Sequence, residues 1–74
     1  MRQTRALACA VRGLRADSGA TQEDVAYRAG ITTASLSRIE RGEANPAWTT
    51  IRRILSALDI SLAELVAAIE DAGL

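Results

Sequence analysis

The chain has 74 residues, room for one small domain and not for a catalytic domain beside a binding one. Nine arginines, no lysine and nine carboxylates give a net charge of zero, and Tyr27 and Trp48 are the only aromatics, so any core is aliphatic. Histidine is absent, Cys9 stands alone and no apolar run approaches roughly 20 residues, which removes the commonest general base, an internal disulfide and a membrane span.

No segment alternates with the period of two that a half-buried strand needs, and the Ala, Leu, Arg and Glu content favours helix, so the chain reads as all-α. Leu7, Ala10, Val11 and Leu14 recur at the spacing of one buried helical face and define a first helix over about residues 5–17. Gly13 and five alanines within or beside it predict weak packing, and Cys9 is expected to be an inert, buried or half-buried thiol. Ser18-Gly19-Ala20 ends that helix. Thr21 then opens a capping box in which Asp24 stands in for the usual Glu, and a second helix over about 22–29 buries Val25, Ala26 and Ala29. Gly30-Ile31 turns the chain, and Thr32 caps a third helix to about residue 41 that buries Leu36 and Ile39. Residues 42–46 form an Asn-Pro loop. A fourth helix over about 47–58 is expected to bury Trp48, Ile51, Ile54, Leu55 and Leu58, with Trp48 as a core or edge-of-core anchor. After Asp59-Ile60, Ser61 caps a fifth helix over about 62–72, with Leu62, Leu65, Val66 and Ile69 on one stripe. Connections this short fit a single domain spanning residues 1–74.

Two short helices joined by a tight glycine turn are the pattern of a helix-turn-helix. Ala26 is small where the helices cross, Gly30 permits the turn, and Ile31, Val25, Leu36 and Ile39 seal the unit. The third helix then shows Thr33, Ala34, Ser37, Arg38 and Arg41, with no bulky apolar side chain among them. Such a face is either an ordinary solvated helix or a surface that enters a major groove, where Arg38 has the reach to read a guanine edge. Tyr27 and Arg28 face outward from the second helix with no expected base contact, and Arg52 and Arg53 are a solvated face or a phosphate contact.

Thr21-Gln22-Glu23-Asp24-Val25-Ala26, Gly30-Ile31-Thr32 and Leu36-Ser37-Arg38-Ile39-Glu40-Arg41-Gly42 fall in register with Leu14-Arg15, Asn45-Pro46 and Ile54-Leu55-Ser56-Ala57-Leu58. Together they resemble the Cro/lambda-repressor-like (Xre family) helix-turn-helix regulators over about residues 5–66. The resemblance implies a five-helix lambda-repressor-like DNA-binding domain with its helix-turn-helix at helices 2 and 3. It further implies a sequence-specific transcriptional regulator, a repressor that binds a palindromic operator as a homodimer. Gln22 would meet a phosphate or lie near the first base. Thr32, Thr33, Ala34, Ser37 and Arg38 would face bases or phosphates, and Arg41 and Asn45 would clamp the DNA backbone. Arg15 and Glu40 match a structural ion pair between helices.

The zero net charge is an average. Residues 1–58 hold all nine arginines and five acids, a net +4, whereas residues 59–74 hold four acids and no base, a net −4. The acidic tail either solubilises a terminal helix or marks the side turned away from DNA. Leu62, Leu65, Val66, Ile69 and Leu74 either cover the fourth helix within one chain or form a dimer interface that sets two recognition helices about 34 Å apart. No enzyme activity, cofactor or metal site is expected, and with Arg12 and Arg15 interrupting any secretory pattern the expected location is the cytoplasm. Two alternatives stay open: the antitoxin of a toxin–antitoxin pair, which binds DNA and a toxin partner, or a protein-interaction adaptor that has lost DNA binding.

Overall fold

The computed structural model describes residues 2–72, with side chains from residue 5 onward. Five helices follow in order: α1 (Arg2–Ser18), α2 (Gln22–Ala29), α3 (Thr33–Glu40), α4 (Trp48–Leu58) and α5 (Leu62–Asp71), with no strand among the described residues. α1 starts ahead of its apolar pattern because no helix breaker precedes Arg5. Reciprocal capping boxes open α2 and α5. Thr21 Oγ1 accepts from the Asp24 N–H at 3.0 Å while the Thr21 N–H donates to Asp24 Oδ2 at 3.3 Å. Ser61 Oγ accepts from the Glu64 N–H at 3.1 Å, and Glu64 Oε1 accepts in return from the Ser61 N–H at 3.4 Å. Each satisfies donors that a helix start leaves unpaired, a contribution of about 1 kcal/mol per cap.

α2 packs on α4, α1 packs on both α5 and α3, and α2 meets α3 across the glycine turn. One aliphatic core results, built around Leu36 and Val25 at 0% exposure with Val11, Ala26, Ile54 and Leu65 beside them. α1 is not weakly packed as its composition predicts. Ala6, Ala8 and Ala10 are all buried with Leu7 and Val11, because small side chains let two neighbouring helices close on one. Cys9 is half-buried and in no disulfide. Gly13 lies on the exposed side of that helix, with open space where a Cβ would stand. Gly13→Ala is therefore expected to stabilise the fold by about 0.5–1 kcal/mol, seen as a higher urea midpoint with an unchanged slope.

Two expectations are corrected. Trp48 is 54% exposed and anchors nothing in the core. It is the first residue of α4, nearly two turns before the helix reaches the buried positions Ile54, Leu55 and Leu58. The apolar stripe of α5 also splits. Leu62 and Val66, four residues apart, share a line along the helix and are 47% and 45% exposed. Leu65 lies to one side of that line and is 3% exposed, spent on its own chain's core and unavailable to a second chain. Ile69 is half-buried against the core, and Leu74 lies outside the described residues.

Candidate nucleic-acid interface

The turn between α2 and α3 is made by Gly30 at φ 72°, a left-handed conformation that costs a side-chain-bearing residue energy. It lets the Ile31 N–H donate to the Ala26 carbonyl at 3.0 Å and the Gly30 N–H to that of Tyr27 at 3.2 Å, closing the helix end. The chain re-enters helix two residues later, where Thr32 Oγ1 accepts from the Ser35 N–H at 3.0 Å. Thr32 is thus engaged first as a cap. Leu36, Ile39 and Glu40 fix the inner side of α3. Thr33, Ala34 and Arg38 share the exposed surface, and Ser37 is half-buried at its edge.

Beneath this surface lies a buried carboxylate. Glu40 is 2% exposed and takes a bidentate fork from Arg15, Nε to Oε2 at 2.7 Å and Nη2 to Oε1 at 2.9 Å. Gln22 Nε2 donates to the same Oε1 at 3.0 Å, and Arg15 Nη1 donates to the Ala20 carbonyl at 3.1 Å. One charge cluster therefore ties α1, the loop before α2, α2 and α3 together, and among the described residues no buried side-chain polar atom lacks a partner. The hydrogen bonds to Glu40, aided by its charge, raise the pKa of Arg15 above its ordinary value against the opposing effect of burial. The resemblance anticipated the ion pair but not its third member. Gln22 is half-buried and held by Glu40, with its carbonyl oxygen and second N–H left for an outside partner.

At the exit of α3, Gly42 adopts φ 75° and the Glu43 N–H donates to the Arg38 carbonyl at 2.9 Å. Arg41 bonds on three sides: Nε to Glu43 Oε2 at 3.1 Å, Nη2 to Glu43 Oε1 at 3.1 Å and Nη1 to Ser37 Oγ at 2.9 Å. Asn45 is exposed in the following loop. Sequence reasoning missed Glu43. The only signal for it was a carboxylate two positions beyond a predicted backbone clamp. No helix among the described residues is long and apolar enough to cross a membrane.

A glycine-turned helix pair with a small-residue outer face, braced by a buried ion pair, defines a helix-turn-helix. Residues 6–68 match the helix-turn-helix domain family, and the chain belongs to it, a DNA-binding transcriptional regulator of the Cro/lambda-repressor-like (Xre) kind. Its relatives include an uncharacterized HTH-type transcriptional regulator, y4dJ, of Sinorhizobium fredii, 43% identical over 53 residues that cover 72% of this chain and 69% of the relative. Among solved structures it is similar to the clp gene regulator ClgR from C. glutamicum, with TM-score 0.90 and 27% identity over 95% of this chain and 90% of that one. The restriction-modification controller protein C.AhdI from Aeromonas hydrophila superposes with TM-score 0.84 and 29% identity, over 88% of this chain and 98% of that one.

Proposed function

We propose that the chain is a sequence-specific repressor that seats α3 in the major groove of a palindromic operator as a homodimer. The observation that carries this reading is the outer face of α3: Thr33, Ala34 and Arg38 are exposed on a helix whose other side is locked into the core, and its one carboxylate, Glu40, is buried and paired. That leaves the outer face of α3 with no carboxylate of its own. Arg38 reads a base edge, Thr33 and Ser37 meet bases or phosphates, and Ala34 offers a methyl contact. Gln22, Arg41 and Asn45 contact the DNA backbone, and Thr32 adds to that contact while capping α3. Residues 1–74 act as a single reading head, with net +4 up to residue 58 and the −4 tail turned from DNA. A protein that occupies two successive major grooves blocks other proteins there, so occupancy itself represses. C.AhdI, which matches over 88% of this chain, is called a controller protein, which supports a regulatory role. Such a protein works in the cytoplasm.

The test is affinity for duplex DNA across salt concentrations. A regulator of this kind binds with a steep salt slope, since each neutralised phosphate releases counterions. Absence of binding even at low salt contradicts the reading.

The dimer rests on α5, where Leu62 and Val66 remain exposed while Ile69 is half-covered. Area hidden there by a second copy would add to the limited core that a chain of 74 residues can build. Sedimentation at micromolar concentration is expected to show a concentration-dependent dimer, and Val66→Glu is expected to give a folded monomer. A parent that sediments as a monomer at every concentration sinks the dimer.

A further inference from the structure

Resting on the DNA-binding reading, we infer that Glu43 tempers affinity by holding the Arg41 guanidinium in the free protein, so that a DNA phosphate must displace it. Arg41 has five N–H donors and three are engaged: the Nε and Nη2 fork on Glu43 at 3.1 Å each, and Nη1 on Ser37 Oγ at 2.9 Å. A phosphate presents the same bidentate geometry as a carboxylate, so both compete for one fork. The pair is open to that competition, with side chains 54% and 55% exposed. Nor is Glu43 on a swinging tail. The left-handed turn at Gly42 and the 2.9 Å bond from the Glu43 N–H to the Arg38 carbonyl hold it against the end of α3. Once displaced, its carboxylate stays beside a polyanion. The surface therefore engages DNA with less positive charge than its arginine count indicates. Glu43 offsets the one arginine that the helix exit directs to the backbone.

Phosphate contacts are independent of sequence, so the test needs no operator. Binding of a mixed-sequence duplex of about two helical turns is measured over a salt series for the parent, Glu43→Gln, Arg41→Ala and the double variant. Glu43→Gln is expected to bind roughly two- to fivefold tighter, the equilibrium equivalent of an exposed pair. Its salt slope steepens slightly, because the neutral amide no longer offsets the Arg41 charge beside the phosphates. Arg41→Ala weakens binding and flattens the slope, and Glu43→Gln gains less in that background than it does in the parent. All variants are expected to unfold thermally like the parent, because both side chains are solvated. If Glu43→Gln tightens binding equally with and without Arg41, it acts as a simple charge and the inference is wrong. If it binds as the parent does, the inference is also wrong while the DNA reading stands. If neither parent nor Glu43→Gln binds duplex at low salt, the DNA reading falls and takes the inference with it.

Discussion

Arg15→Met is expected to lower unfolding stability by about 3–5 kcal/mol. The cost is not the lost attraction alone. Glu40 is 2% exposed, and without Arg15 its carboxylate keeps only the Gln22 amide as a side-chain donor. A buried charge left nearly unpartnered is penalised by its missing hydration. The Ala20 carbonyl loses its donor as well. Small domains hold about 5–15 kcal/mol in total, so the variant is expected to lose a large share of its stability. Urea unfolding followed by circular dichroism reads this directly. Arg15→Met combined with Glu40→Leu should recover most of the loss, because removing both charges removes the desolvation cost together with the attraction. A single variant with the parent's midpoint would show that Glu40 does not depend on its fork.

The helix starts were legible because their signals are local. Thr21, Thr32 and Ser61 each accept from the backbone N–H three residues on, and α2, α3 and α5 begin directly after them. The helix-turn-helix was legible because Gly30 and the apolar positions Val25, Ala26, Leu36 and Ile39 must satisfy one turn and one core at once. Periodicity fails where it has to say which end of a stripe meets the core. Trp48 belongs to the apolar pattern of α4 but stands ahead of the packed turns, and Leu62 and Val66 share a pattern with Leu65 but not its burial. Contacts across long sequence separations were readable only by resemblance, as with Arg15 and Glu40, or not at all, as with Gln22 on Glu40, 18 positions away. Arg41 and Glu43 are near in sequence, yet their fork depends on the left-handed turn at Gly42, which residue spacing alone does not reveal.

Arg38→Ala is expected to weaken binding to a duplex selected by the parent from a random-sequence pool by about 1–3 kcal/mol, and to relax preference at one base position. Three features single out Arg38. It is the only arginine within α3, it is exposed, and no side-chain hydrogen bond or ion pair holds it among the described residues, whereas Arg15 and Arg41 are both engaged. Its backbone is nonetheless fixed, with Leu36 and Ile39 buried on either side and its carbonyl bonded to the Glu43 N–H. A long free fork on a rigid helix loses side-chain freedom on binding but needs no movement of the main chain. Arg38→Lys separates base from backbone contact. Lysine keeps the charge but not the planar fork, so it should restore the salt slope without restoring the base preference. If Arg38→Ala weakens every duplex equally and Arg38→Lys repairs the loss, Arg38 binds phosphate, and base recognition falls to the short side chains of Thr33, Ala34 and Ser37.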